Sequence, residues 1–280
     1  MKVALYINAT KFTDKDEELG SFISKSRDIE FFIPKEDFDK FYFDGVKLLT
    51  NLDDVDLIFS IGGDGTILNT IRRTKFTDKP VLGLKFGNLG FLTAINFDEF
   101  LDFKEKIKNN KFEIEKRYLL EVEKIDSNGN SVFKDFALND VVLEREDIAR
   151  MSIIEVFVDG EFFTKYHSNG VVVSSPTGST AYNLSAGGPI VYPDSESLIL
   201  TPICPHSLSQ RPVVISNKVV ELSLTGRVET AAITLDGQKE LEIFLDEKIR
   251  CKMSDKSINL IKLEGESFPS ILRQKLGWGL

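Results

Sequence analysis

The chain changes its repeat pattern once, and that change limits the folds open to it. Through about residue 95, short apolar runs alternate with amphipathic segments. Val3 to Ile7, Ile29 to Ile33, Val55 to Ile61 and Val81 to Lys85 read as strands, and 14–27 and Thr66 to Thr74 as helices. This is the pattern of βα units around a parallel sheet, so a Rossmann-like α/β domain is expected over 1–96. A charged helical segment occupies 97–117. Short β-rich runs then crowd together: YLLEVEKI, SVFKDFALNDVVLE, MSIIEVFVDGEFFTK, GVVVSS, RPVVIS, VVELSL, AAITLD, LEIFL and INLIKL. Asn128-Gly129 and Asp159-Gly160 are hairpin-turn signals among them. Many closely spaced strands predict an all-β, β-sandwich-like domain over 97–264. The closing FPSILRQKLGW reads as a short helix, with 265–280 returning to pack on the first domain.

Composition narrows the function classes. At 280 residues, 42% hydrophobic and 28% charged, the chain has length for a sizeable core and the balance of a soluble globular protein. Its net charge of −9 argues against broad binding to nucleic acid or to an anionic membrane, which a basic face would favour. No apolar stretch approaches the roughly 20 residues of a membrane helix. The opening Met1 to Ile7 lacks the layout of a signal peptide. Cys204 and Cys251 match no metal-ligand spacing and read as reduced thiols, so a cytoplasmic location is expected.

Three constellations carry possible chemistry. In DLIFSIGGDGTILNTI, an apolar strand stops at Gly62-Gly63-Asp64-Gly65-Thr66 and a helical pattern follows. Glycines between strand and helix let backbone N–H groups face a phosphate. The loop lacks the lysine of a G-x-x-x-x-G-K-[ST] motif and the spacing of G-x-G-x-x-G. Its acid therefore has two readings: an N-cap for the helix, or a group that meets an attacking hydroxyl or a metal ion. The second stretch, 168–193, packs Ser174, Ser175, Thr177, Ser179, Thr180, Tyr182 and Ser185 among glycines and prolines. It is either a long irregular loop or a site for a polyhydroxylated, phosphorylated ligand, with Tyr182 free to stack on a ring. The third, Asn139-Asp140, interrupts a buried strand. Either a ligand or backbone pairing at a bulge would satisfy it. Of the two histidines, His206 reads as structural and His167 stays open.

GGDGT, VLGLKFGNLGFLT (81–93), ALND, NGVVVSSPTGSTAYNLSAGGPIV, TPICPHSLSQRPVVI (201–215) and LDGQ (235–238) occur in the order and character of NAD kinases. The chain resembles a bacterial NAD kinase from end to end. GGDGT alone is shared with lipid kinases and is related to the phosphofructokinase loop, whereas PTGSTAYNLSAGGPI is far more specific to NAD kinases.

The resemblance implies transfer of the terminal phosphoryl group of ATP, or of polyphosphate, to the 2′-hydroxyl of the adenosine ribose of NAD, giving NADP. Asp64 would be the general base, and Gly62, Gly63, Gly65 and Thr66 would hold phosphate. A carboxylate is a far weaker base than an alkoxide, so such a base takes the proton late and mostly orients the hydroxyl. Asp64, Gly65, Asn139, Asp140, Arg150, His167, Asn169, Thr180, Ala181, Tyr182, Ser185 and Gln238 match positions that contact the dinucleotide. A divalent metal, Mg²⁺, would neutralise the polyphosphate, though no ligands for it are named. A homodimer or homotetramer is expected from the family.

Two positions depart from the family pattern. Asp140 stands where many members have Glu. Asn169 stands where many have Asp, which removes a negative charge near the nicotinamide and predicts weaker discrimination against NADH. A lipid or other small-alcohol kinase and a non-catalytic NADP-binding sensor are the competing readings. The hydroxyl-rich stretch argues against the first and the retained Asp64 against the second.

Overall fold

The computed structural model describes residues 1–280 except 9–15, 42, 86–89, 97–98, 110, 147–151, 227, 263–264, 266 and 279–280. The elements run β1 (Lys2–Ile7), α1 (Asp16–Lys25), β2 (Glu30–Pro34), α2 (Lys35–Phe38), β3 (Lys47–Leu49), β4 (Leu57–Ile61), α3 (Asp64–Arg73), β5 (Val81–Lys85), β6 (Ile95–Asn96) and α4 (Phe100–Lys108). They continue as β7 (Glu113–Ile125), β8 (Ser131–Ala137), β9 (Asp140–Arg145), β10 (Ser152–Val158), β11 (Glu161–Ser168), β12 (Gly170–Ser174) and α5 (Tyr182–Ser185). Last come β13 (Ser197–Ile203), β14 (Val213–Ser216), β15 (Val220–Thr225), β16 (Thr230–Leu235), β17 (Lys239–Phe244), β18 (Lys248–Lys262) and α6 (Phe268–Leu276). The chain divides into two units, Met1–Lys116 with Ile258–Leu280, and Arg117–Ser257.

In the first unit the sheet order is β18-β5-β4-β1-β2-β3, with β6 beside β5, and every one of these pairings is parallel. A parallel sheet is covered on both faces, which explains why β4, LIFSI, is buried along its whole length. Its one polar side chain, Ser60, meets Thr70 Oγ1 of α3 at 2.9 Å, so burial leaves no orphan hydroxyl. Helix α3 turns Thr66, Ile67, Thr70 and Ile71 inward, at the spacing of one helical face. A Cβ on Gly83 of β5 would meet Ile67 Cδ1 and lie 2.9 Å from Thr93 Cα, so only glycine lets α3 and the 92–93 segment close on the strand.

The unit boundaries fall at 116/117 and 257/258, against the expected 96/97 and 264/265. The reason lies in α4, which sends Phe100 and Ile107 into the first unit's core. There Phe100 meets Phe59 edge-on at 5.3 Å between ring centroids. At the other end of the chain, Leu260 of β18 pairs with Val81. Helix α6 begins with a reciprocal Ser267/Ser270 capping box, stops at the left-handed Gly277 (φ 67°), and buries Leu272.

The second unit contains two sheets. One carries β11-β10-β15-β18 with β7 and β8 continuing from β18, and the other has the order β14-β13-β12-β9-β16-β17. Their inner faces share one core that includes Leu120, Val122, Val141, Leu143, Ile154, Val156, Val171, Val173, Leu222 and Ile233. The α/β plus β-sandwich-like fold class therefore stands. Asp159-Gly160 forms the β10/β11 turn with positive φ at both residues (51° and 81°), as a two-residue hairpin requires. Three strands exceed the expectation: β7 begins at Glu113, inside the segment expected to be helical through 117, where α4 stops at Lys108; β13 is additional; and β18 extends through 15 residues where only INLIKL is expected. No described helix is long and apolar enough to cross a membrane.

Candidate active site

In the first unit the glycine loop follows β4 and leads directly into α3. Gly62 donates its N–H to Leu84 O at 2.8 Å and holds φ 153°, and a Cβ there would collide with Thr66 Oγ1. Gly63 is the N-cap, without a side-chain cap, and Asp64 is the first helical residue. The N-cap reading of Asp64 is thus replaced by another arrangement. Its Oδ2 accepts the Phe91 N–H at 2.8 Å and its Oδ1 the Leu92 N–H at 3.2 Å, so the 91–92 backbone fixes the carboxylate. A Cβ on Gly90 would strike that carboxylate. Gly65 is exposed with open space above it, and Thr66 is buried, its Oγ1 accepting Asn8 Nδ2 at 3.4 Å.

The loop has cationic neighbours that sequence reasoning passed over. Lys85 closes β5 with its Nζ 3.9 Å from where a Cβ on Gly63 would sit. Lys275, near the end of α6, has its pKa lowered by burial and by the Lys85 ammonium, with Asp64 acting in the opposite sense. Lys85 was open to discovery once β4 and β5 are seen as adjacent parallel strands, since ligands of such sheets gather at the carboxyl ends. No local pattern marked Lys275.

In the second unit, the hydroxyls of 174–185 divide into two sets. Ser174, Ser175 and Ser179 are fully buried and bond backbone: Ser174 Oγ to Asn139 O at 3.2 Å, Ser175 Oγ to Leu138 O at 2.5 Å, and Ser179 Oγ to Val191 O at 3.1 Å. These hydroxyls hold the segment's shape, so hydroxyl density overstated the recognition surface. Asn183 fixes the next turn, donating to Ser179 O and Pro189 O and accepting from Thr201 Oγ1 at 2.7 Å. Thr180 and Ala181 are left half-buried, and Tyr182 and Ser185 exposed. Tyr182 Oη donates to Glu144 Oε1 at 2.8 Å; burial, and then that carboxylate, push its pKa up to about 12.

Asn139 precedes β9 and Asp140 opens it, both with buried side chains, and a third group satisfies their backbone N–H groups. The Asp236 carboxylate in the β16/β17 turn accepts the N–H groups of Leu138 (3.0 Å), Asn139 (2.7 Å) and Asp140 (3.3 Å). Asp236 in turn donates its own N–H to Asp140 O at 2.9 Å. Burial, and secondarily the Asp236 charge, raise the Asp140 carboxyl to about 7. This aspartate belongs to LDGQ, and no local pattern in that motif marks its role as an acceptor for 138–140. The 174–180 turn packs closely on Asn139, since a Cβ on Gly178 would strike the Asn139 carbonyl.

Asn169 is half-buried between β11 and β12, donating to Ile203 O at 2.9 Å and accepting from Arg145 N at 3.0 Å through its backbone. His167 is exposed on β11, and its carbonyl accepts the N–H of the likewise exposed His206 at 2.9 Å. Gln238 is exposed in the turn after β16, its N–H bonded to Leu235 O at 3.0 Å. Arg150 lies outside the described residues.

Comparison with known proteins gives matches over both units. Residues 25–112 match the family model of the ATP-NAD kinase N-terminal domain, and 138–263 that of the ATP-NAD kinase C-terminal domain. An NAD kinase of Sulfurimonas denitrificans is 44% identical, covering 80% of this chain and 78% of that protein. One of Campylobacter lari is 41% identical, covering 82% of each. Among solved structures, yeast NADH kinase complexed with NADH superposes with a TM-score of 0.86 at 24% identity, covering 100% of this chain and 88% of that one. An Archaeoglobus fulgidus NAD kinase in complex with ATP gives 0.73 at 25% identity, covering all of both chains.

Proposed function

This chain belongs to the NAD kinase family, an ATP-dependent phosphotransferase family with NAD as acceptor, and we propose that Asp64 is the base that receives the proton of the ribose 2′-hydroxyl. One observation carries this reading. The Asp64 carboxylate opens α3 among three glycines, and the Phe91 and Leu92 N–H groups fix its orientation. A fixed carboxylate loses little freedom on meeting a hydroxyl, and orientation is most of what a weak base can supply. The adjacent glycines and the positive end of α3 suit the phosphates undergoing transfer.

For the dinucleotide, Asn139, Asp140, Thr180, Ala181, Tyr182 and Ser185 are the proposed adenosine contacts, with His167, Asn169, Gln238 and Arg150 further along it. The support is local: buried serines and Asn183 hold the 174–188 backbone rigid, leaving Thr180, Tyr182 and Ser185 accessible. Among the described residues no group of three or more His, Cys, Asp or Glu is placed to hold a metal. Mg²⁺ in phosphoryl transfer is held through substrate phosphates and one or two carboxylates, and Asp64 is the acid at the loop that could complete such a shell. When bound, the ion neutralises charge on the polyphosphate.

The test is NADP formation by wild type and Asp64→Asn with ATP, alongside NAD titration. A drop of about a hundredfold or more in kcat with NAD affinity retained supports the base. Full activity in Asp64→Asn sinks it, and tight NADP binding by an inactive wild type would make the chain a sensor. Assembly as a homodimer or homotetramer and a cytoplasmic location belong to the same proposal. Light scattering at micromolar concentration tests the first, a monomer refuting it.

A further inference from the structure

Lys85, over the Gly62-Gly63-Asp64-Gly65 loop, and Lys275, which interacts electrostatically with Lys85 and Asp64, come from the two separate segments of the first unit. Lys85 ends β5, and Lys275 sits in the last turn of α6. The Lys85 Nζ reaches over Gly63, and Lys275 feels both Lys85 and Asp64. Both side chains are half-buried, and among the described residues neither forms an ion pair with a carboxylate. Asp64, the acid that acts on Lys275, also accepts two backbone N–H groups. Like charges partly withdrawn from water raise each other's energy, so such a pair is favourable mainly when an anion of higher charge lies against it. The place agrees with this: the carboxyl ends of the adjacent parallel strands β4 and β5, at the positive end of the ten-residue α3.

We infer that Lys85 and Lys275 are donor-binding residues that grip a linear chain of phosphates at the glycine loop. This rests on the reading of that loop as the phosphate site. Lysines act as mobile point charges and read no base, so the recognised chemistry is the triphosphate itself, whether carried by a nucleoside or by inorganic polyphosphate. Their task is to hold the phosphate chain while Asp64 meets the acceptor.

Inorganic tripolyphosphate, titrated calorimetrically into the full-length protein, tests this with Lys85→Met, Lys275→Met and the double variant. Rates with ATP and with polyphosphate at saturating NAD are measured beside it, and circular dichroism checks each fold. If a methionine variant fails to fold, the glutamine variant replaces it. Each single change should weaken tripolyphosphate binding and raise the donor KM about tenfold, and the double change about a hundredfold. NAD affinity without donor should stay within about twofold, and Lys→Arg should recover most of the loss. Parallel losses for ATP and polyphosphate support a site for any phosphate chain, and a loss confined to ATP supports one for the nucleotide. Unchanged tripolyphosphate affinity and donor KM in folded variants would overturn the inference, as would lost NAD binding with donor KM unmoved. A wild type that binds tripolyphosphate but makes no NADP would refute the kinase reading while leaving the lysines supported.

Discussion

Asp140 and Asp236 bring two carboxyl groups together beneath a segment that carries proposed adenosine contacts. Asp236, at φ 54°, spends its carboxylate on three consecutive N–H groups, while Asp140 is only 5% exposed. Burial and then the Asp236 charge raise the Asp140 pKa from 3.8 to about 7. The folded state therefore holds a proton that the unfolded chain releases near pH 4. The stabilisation is complete below about 4 and is lost as pH rises to about 7, on the order of a few kcal/mol. Asp140→Asn removes the titration, so its urea stability should fall less between pH 4.5 and 7.5 than the wild type's. Identical slopes would show that Asp140 ionises freely in the folded protein. Asn169 poses a different question, because its backbone is fixed on both sides and only the side-chain charge is at issue. Restoring an acid should favour the cationic ring of NAD over neutral NADH. The NADH/NAD ratio of kcat/KM should fall severalfold in Asn169→Asp, the scale of a partly screened charge pair of about 0.5–1 kcal/mol. An unchanged ratio would remove Asn169 from nicotinamide selection.

At the scale of elements, the segment from β12 through α5 shows how a loop is made rigid without length of helix or strand. Its turns rest on serine hydroxyls, the Asn183 amide and two glycines, Gly178 and Gly188, where a Cβ would strike the Asn139 backbone and the Asn183 side chain. At Gly178 the obstacle is backbone, which cannot swing aside. Gly178→Ala should cost about 1–3 kcal/mol in urea denaturation and weaken NAD binding as Asn139 shifts. Wild-type values for both would mean that the two backbones have slack between them. The same segment shows what sequence conveys and what it withholds. The strand-glycine-helix order at β4 and α3 was plain, because an apolar run and a helical face have different periods. Which hydroxyls face inward was hidden, since each is paired through residues 12 to 37 positions away, as with Ser179 and Val191 or Ser175 and Leu138. For the same reason GGDGT located the acid but not Phe91 and Leu92, whose contribution is backbone and carries no residue type. Charged residues alternating through KIRCKMSDKS also masked the first two thirds of β18.

At the scale of the whole molecule, the first unit is assembled from both ends of the chain, with 117–257 inserted between them. The late segment contributes Ile258, Leu260, Ile261 and Leu272 as buried side chains, and Leu260 supplies the strand partner of Val81. Burial of side chains of this size is worth roughly 1.5–3 kcal/mol each. Four of them together rival the roughly 5–15 kcal/mol by which a whole domain is stable. A chain ending at Ser257 should therefore lose the first unit's cooperative unfolding and, with it, NADP formation. The second unit contains its own core, Leu120 through Cys251, without the lost residues. Limited proteolysis of the truncated chain should accordingly cut within 1–116 and leave a resistant fragment near 117–257, identified by mass. Because Lys275 is removed by the same truncation, the structural and chemical consequences need separating. Lys275→Met should leave thermal unfolding and proteolytic resistance near wild type while the donor KM rises. A truncated chain that resists proteolysis throughout 1–116 would show that the first sheet is stable without its C-terminal strand and helix.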